Sequence, residues 1–419
     1  MTFATGLRCT RCGTRYPLSF YDRDCGQCHD VAPSALAVEY DPSMLVTRPA
    51  KPCGAGLWRF GDLLPIDRSD AISLGEGGTP LLPLARIAAR LGLTHLWAKD
   101  ETREPTGSFK DRLACVGVSA ARERRARVIV SSCNAGAAAA AYAARAGLAC
   151  IVFTFQGASG PLVTQMRALG AMVLSMERSD DRLLLLKLGM RRFGWFSTSP
   201  FTQPVVGSNP LALEGYKTLA YEIAEAMDWA VPDWCVLPVC YGDALAAIRR
   251  GFTDMVSLGW TNRVPRLVAA EVAGSLGAAL ASGDDAPPDV RLNAPTIATS
   301  IGASRGTFQA LDALRRTDGL AVKTRDDQIL HWQAALASEE GIWLEAAAAA
   351  GLAAVAQLVE SQIIKANDSI VIVATAGGLK DSSRWEAQMD PVPIVPPDLE
   401  AALTTLRYSY GFDATAEVV

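Results

Sequence analysis

Lys110 stands in the run Pro105-Thr106-Gly107-Ser108-Phe109-Lys110-Asp111-Arg112, after a Pro/Gly turn and before an apolar helical stretch over 113–122. An amine held there, at the mouth of a cleft, loses hydration. Its pKa falls and it can attack a carbonyl to form a Schiff base. Taken alone, a lysine at a helix start reads first as a solvated charge. Three further loops change that balance. Ser131-Ser132-Cys133-Asn134-Ala135-Gly136 brings hydroxyls, an amide and helix N–H groups together at a strand end, which suits a carboxylate; Asn134 could also meet a phenolate oxygen, and Ser132 or Asn134 could simply cap the helix. Pro238-Val239-Cys240-Tyr241-Gly242-Asp243-Ala244 could cradle a phosphate on its amides. It holds one glycine only, and Asp243 reads equally well as an N-cap. Ala374-Thr375-Ala376-Gly377-Gly378-Leu379-Lys380-Asp381 offers the Thr375 hydroxyl at the end of the last strand, a neutral partner for a ring nitrogen or a simple turn.

A separate constellation opens the chain. Cys9-x-x-Cys12 and Cys25-x-x-Cys28, with Gly13 and Gly26 beside them, have the spacing of two knuckles around a four-thiolate zinc. Four sulfurs leave no open position, so this zinc would be structural. His29 reads as a bystander.

The elements that must position these loops alternate. Helices are expected over 84–91, 113–122, 135–146 and 161–169, and strands over 95–99, 127–131, 149–155 and 171–175. Further on, helices are expected over 213–227, 244–258, 326–339 and 345–362, and strands over 234–239, 266–271 and 369–374. Strand–helix alternation with short loops implies parallel sheets covered on both faces, with ligands at the carboxyl ends of the strands. The expected organisation is a ribbon over 1–31 and a wrapping arm over 32–80 anchored by Trp58 and Phe60. Two interleaved α/β domains follow over 81–400, the smaller near 113–207, and then a tail over 401–419. The run 75–80, glycines before a proline, reads as a structural turn.

With 419 residues, half of them apolar, and a net charge of −4, the chain exceeds one ordinary core and carries no basic footprint for nucleic acid. No apolar run reaches a membrane-spanning length, and no leader pattern is read at the start. Ten cysteines without a secreted-type framework make the cytoplasm the expected compartment.

The ordered set resembles the threonine-synthase-like branch of the fold type II enzymes dependent on pyridoxal phosphate, the tryptophan synthase β-like fold. The matching stretches are 75–81, 99–101, 105–112, 131–136, Asn209-Pro210 with Glu214-Gly215-Tyr216-Lys217-Thr218, and 375–381; they run over nearly the whole chain. The N-terminal cysteine ribbon is similar to one found in many members. The resemblance implies that Lys110 carries the cofactor and then moves protons, with Phe109 packed near the ring and Asn134 on its 3-oxygen. It implies that Tyr241, Gly242, Asp243 and Ala244 hold its phosphate and Thr375 its pyridine nitrogen. Ser131, Ser132, Cys133 and Asn134 would grip an amino-acid substrate, and Lys217, Asn209, Lys99 and Arg112 are candidates for a leaving phosphate. The expected reaction is that of threonine synthase, O-phosphohomoserine and water giving threonine and phosphate. The alternatives are a β-replacing synthase like cysteate or cysteine synthase, a threonine/serine dehydratase-like lyase, or a non-catalytic sensor on the same fold. A homodimer is the family expectation. The chain departs from the pattern at Glu104, where asparagine is common, at Cys133, in the 240–243 loop and at Ala346.

Overall fold

Six strands form the larger sheet, in the order Leu320–Lys323, Arg266–Glu271, Trp234–Pro238, Ser369–Ala374, His95–Asp100 and Leu81–Pro83. The first five run parallel. The last lies antiparallel to His95–Asp100, an edge strand too short to show in the sequence pattern. The structure, a computed structural model, describes residues 2–415 apart from 42, 44–45, 50–55, 179–180 and 388; the side chains of Cys133 and Asn134 also lie outside the described set.

The central strands are apolar throughout because both faces are buried. Alternate side chains feed different cores, as the two-residue period of a strand requires. Cys235, Leu237, Val371 and Val373 pack with the helices Lys217–Ala226 and Asp243–Ser257. Val236, Ile370 and Ile372 pack with Asp326–Glu340 and Ala346–Glu360 on the other face. The alanine-rich face of the latter helix lets it lie close to the sheet.

A second, four-stranded parallel sheet runs in the order Met172–Met176, Ala149–Phe155, Val128–Ser131 and Phe196–Ser197. The helices Lys110–Glu123 and Cys133–Ala146 share a core with it. The lysine helix begins three residues before the expected 113, because its first turn is polar and lacks the apolar period.

The first forty residues form a three-stranded antiparallel sheet of Arg15–Tyr16, Ala4–Cys9 and Leu36–Tyr40. The strand Leu36–Tyr40 lies in the stretch read as a wrapping arm; its backbone pairs with Ala4–Cys9 of the ribbon. Trp58 and Phe60 are buried. Contacts gather Met1–Asp381 into one unit and Ser382–Val419 into another, the latter containing the helix Leu399–Tyr410 with Asp398 as its cap. Among the described residues no helix is long and apolar enough to cross a membrane.

Candidate active site

Lys110 is the first residue of its helix, and its backbone N–H is held by the Ser108 hydroxyl at 3.2 Å. Its ammonium lies 4.4 Å from the Phe109 ring centroid and 5.5 Å from that of Tyr216. These two rings are themselves stacked, 5.0 Å apart. Burial pulls the Lys110 ammonium toward release of its proton, but the groups facing it, Tyr216, Asp243 and Cys240, outweigh this and leave its pKa raised. Tyr216 stands in the matched stretch 214–218, but its place beside the lysine is not legible in the sequence, where about a hundred residues separate the two.

The loop before Lys110 is tied down on two sides. The Phe109 N–H donates to the Thr375 carbonyl at 2.9 Å, and the Gly377 N–H to the Gly107 carbonyl at 3.1 Å, so Thr375 is delivered beside the lysine from the end of Ser369–Ala374. Gln165 donates to the Thr106 carbonyl at 3.1 Å and accepts from the Lys380 ammonium at 2.8 Å. Asp111 faces inward and receives both the N–H and the hydroxyl of Thr106, at 2.8 and 2.9 Å.

The 241–244 loop enters the helix Asp243–Ser257 through Gly242, whose φ of +91° puts it in the left-handed region; Gly242, and not Asp243, is the N-cap. A Cβ on Gly242 would strike Ala310. The Asp243 carboxylate is taken up by neighbouring donors. It accepts from the Ser208 hydroxyl at 2.7 Å, the Ser208 N–H at 3.1 Å and Gln309 at 2.7 Å. Burial raises its pKa, and Ser208 and the Lys110 ammonium oppose this. The first-turn N–H groups of such a helix lack intrahelical acceptors and suit a bound anion. A left-handed cap, a sequestered carboxylate and a lysine beside two stacked rings fit a phosphorylated aromatic aldehyde.

At the end of Val128–Ser131, hydroxyls cluster. Ser131 Oγ lies 2.7 Å from Ser199 Oγ and receives Thr198 Oγ1 at 3.0 Å, and the Ser132 N–H donates to Ser199 at 3.0 Å. Ser132 is the N-cap by backbone, without a side-chain cap bond. The readings made for Cys133 and Asn134 concern side chains outside the described set.

The basic candidates for a leaving phosphate go elsewhere. Arg112 is fully buried and binds Glu101 at 2.6 Å and Glu222 at 2.7 Å; Lys99 binds Glu222 at 2.7 Å. Lys217 is matched by Glu214 at 2.8 Å and Asp254 at 2.9 Å, and covered by the Tyr40 ring. Their charges hold the fold together, a role that motif spacing could not separate from ligand binding. Asn209 caps the helix Pro210–Leu213 through its Oδ1, while its Nδ2 is buried without a partner among the described residues. A small cleft of about 50 Å³ opens beside Lys380, lined by Phe155, Ser159, Leu162, Ser300, Glu345 and Lys380 among others; Lys110 is not on its wall.

In the ribbon, Cys9, Cys12, Cys25 and Cys28 bring their sulfurs within 4.8 Å of one another. Burial, with the neighbouring sulfurs, pushes Cys28 up to about 12, whereas the Thr14 hydroxyl and N–H bring Cys12 down to about 6. Four such sulfurs cannot all ionise without a cation among them.

Two largely parallel sheets, with a helix-borne lysine beside stacked aromatic rings and a helix entry suited to an anion, define an α/β enzyme of fold type II. The chain belongs to the family of pyridoxal-phosphate dependent enzymes, whose model matches residues 72–376. It is 34% identical over 404 residues to the threonine synthase of Methanocaldococcus jannaschii, covering 92% of this chain and 96% of that one. It is 36% identical over 332 residues to the threonine synthase of a Bacillus species, covering 78% and 90%. Among solved structures, a threonine deaminase from Solanum lycopersicum superposes with a TM-score of 0.63 at 19% identity, over 84% of this chain and 92% of that one. Maize serine racemase superposes with a TM-score of 0.62 at 20% identity, over 74% and 91%. These last two share the fold.

Proposed function

We propose that this chain is a threonine-synthase-type lyase that acts on an amino acid with a phosphorylated γ leaving group and adds water at Cβ. The observation that carries the site reading is the Lys110 ammonium, set against the Phe109 and Tyr216 rings and joined through Phe109 to Thr375. The identity to threonine synthases over most of the chain supports the substrate class. In this reading Lys110 and the amides of Tyr241, Gly242, Asp243 and Ala244 hold pyridoxal phosphate, with Asn134 and Thr375 toward its ring and Phe109 packed beside it. The bound cofactor supplies a sink for the electrons left at the substrate Cα when its proton is removed.

The chain's own residues then have distinct tasks. Lys110 Nζ takes the Cα proton and, for a γ leaving group, a proton from Cβ. Ser131 and Ser132, oriented by Ser199, receive the substrate carboxylate with Cys133 and Asn134. Asn209, with a buried amide lacking an acceptor, is the best remaining polar candidate for the leaving phosphate. The stacked rings keep water off the lysine side.

The four-cysteine ribbon is proposed to hold one structural zinc, and the enzyme to work as a cytoplasmic homodimer. The test is direct. Purified protein with pyridoxal phosphate should gain visible absorbance that Lys110→Ala abolishes, and should release phosphate from O-phosphohomoserine with equimolar threonine. Release of ammonia from threonine without phosphate turnover would move the assignment to a dehydratase-like lyase. A visible band that persists in Lys110→Ala would overturn the site itself.

A further inference from the structure

Arg11 lies between Cys9 and Cys12, in the first knuckle of the ribbon. Its side chain leaves the knuckle and reaches the large-sheet half of the chain. Its Nη2 donates to the Asp285 carbonyl at 2.8 Å, and its guanidinium carbon sits 3.9 Å from the centre of the Phe308 ring. Its Nε donates back to Ser34, inside the ribbon segment, at 3.1 Å. The guanidinium is thus fixed on both sides, by the ribbon and by the body. A planar cation against an aromatic face is attracted by the ring's negative quadrupole, and more strongly where water is excluded.

Phe308 opens the helix Phe308–Arg316, and the residues around it turn to the 241–244 loop. Thr307 donates its hydroxyl to the Tyr241 carbonyl at 2.6 Å. Gln309 donates to Asp243 Oδ1 at 2.7 Å and to the Val206 carbonyl at 3.3 Å. Ala310 packs where a Gly242 side chain would stand. Three neighbours of Phe308 therefore fix three successive residues of that loop. The far end of the same helix returns to the ribbon's contact: Arg315 binds Asp285 Oδ1 and donates to the Gly283 and Asp284 carbonyls at 2.9 and 2.8 Å. The 283–285 turn is gripped by Arg11 from the ribbon and by Arg315 from the helix.

We propose that Thr307 and Gln309 are positioning residues for the 241–244 loop, and that Arg11 couples the four-cysteine ribbon to that loop through Phe308. The proposal rests on the reading that this loop holds the cofactor phosphate and the ribbon a metal. Gln309 holds the Asp243 carboxylate through Oδ1, opposite the Ser208 donors on Oδ2. Without it, Oδ1 loses its donor and the carboxylate is held through Oδ2 by Ser208 alone, which loosens a negative charge in the first turn of the helix. The ribbon, when folded, pins Phe308 and so the spacing of Thr307 and Gln309. When the knuckle loosens, Arg11 leaves Phe308 and the loop loses its brace.

The experiment is a cofactor titration, following visible absorbance and tryptophan fluorescence, on the full chain and four variants, with bound metal measured in each. Gln309→Leu is expected to weaken pyridoxal phosphate binding about tenfold, close to 1.4 kcal/mol. Arg11→Ala and Phe308→Leu are expected to weaken it severalfold while the metal content stays at the wild-type value, and Phe308→Tyr to restore it. At saturating cofactor, kcat should be unchanged in Arg11→Ala, which a general loss of structure would not allow. Removing the metal with a chelator should weaken cofactor binding in the wild type by as much as Arg11→Ala does, and have no further effect in Arg11→Ala. Equal cofactor affinity in wild type, Arg11→Ala and Phe308→Leu would overturn the coupling. So would an undiminished effect of metal removal in Arg11→Ala. A wild-type chain that binds no pyridoxal phosphate would instead overturn the loop reading beneath it.

Discussion

The backbone N–H of Phe109 donates to the carbonyl of Thr375 at 2.9 Å, although 265 positions in the sequence separate them. An antiparallel bridge between Ser108 and Ala376 extends the link. The entry to the lysine helix is therefore an added backbone partner of the loop that leaves the central sheet. The distance between Lys110 and Thr375 is set by main chain, which holds geometry better than mobile side chains.

This link makes Gly378 a sensitive position. A Cβ there would run into the Trp343 ring, while the Gly378 N–H already donates to the Trp343 carbonyl at 3.0 Å. Gly378→Ala must push the 375–378 loop or the ring aside, at about 1–3 kcal/mol. We expect a lower urea midpoint by that amount and a loss of kcat/KM of about tenfold or more, since displacing Thr375 drags Phe109 with it. Unfolding curves and steady-state kinetics on one preparation check both.

The elements around these loops were legible because buried parallel strands and the helices between them carry strong apolar patterns. Ala149–Phe155, Arg266–Glu271 and Ser369–Ala374 fall where the pattern ends them, and other boundaries move by a few residues. The helix Phe308–Arg316 was not legible. It leads to Leu320–Lys323, a four-residue edge strand only partly buried, so no strand signal framed it. With that helix went Thr307 and Gln309. Nor could spacing show which cations are spent on carboxylates: Lys99, Arg112 and Lys217 look like ligand residues until Glu222, Glu101, Glu214 and Asp254 are brought to them across the fold.

Arg112 and Lys99 meet three buried carboxylates, Glu101, Glu104 and Glu222, at the centre of this network. The carboxylates differ in state. Burial and then Glu101, Asp111 and Glu222 push Glu104 well above the usual range despite the Arg112 guanidinium, whereas Arg112 and Lys99 outweigh burial and hold Glu222 well below it. Glu104 is thus the carboxylate of this network whose charge the fold opposes, at a position where asparagine is common in the family it resembles. Glu104→Gln should be the milder change, about 1 kcal/mol, because the amide keeps an acceptor and removes a charge that its buried surroundings oppose. Glu222→Gln should cost about 3–5 kcal/mol, because it strips the charge from two buried cations. Urea unfolding of the two variants, side by side, tests the contrast; equal losses would refute it.

The ribbon has strands of two, six and five residues and would be marginal without a cross-link. Metal analysis of reduced protein is expected to find one zinc per chain, lost in Cys25→Ser. On chelation, amide hydrogen exchange should accelerate over the strands Ala4–Cys9 and Leu36–Tyr40, while Trp234–Pro238 stays protected. Protection unchanged in the ribbon after metal loss would mean that its apolar contacts suffice.

Asp111, next to the lysine, gives a pH signature. Burial pushes its carboxyl up to about 7, although the Thr106 donors and the Lys380 ammonium pull the other way. In the unfolded chain an aspartate titrates near 3.9. Between roughly pH 4 and 7 the native state therefore binds more protons at this position than the unfolded state does, so its contribution to stability falls as pH rises and levels off above about 7. The slope can reach about 1.4 kcal/mol per pH unit. Asp111→Asn removes the titration and keeps an acceptor for one Thr106 donor. Relative to wild type, the variant should gain stability steadily from about pH 5 to about pH 8, whatever fixed cost the amide brings. Urea midpoints at several pH values for both proteins measure this difference, in which all other titrating groups cancel. A constant offset across the range would show that Asp111 stays ionised beside Lys110, with the Thr106 donors outweighing its burial.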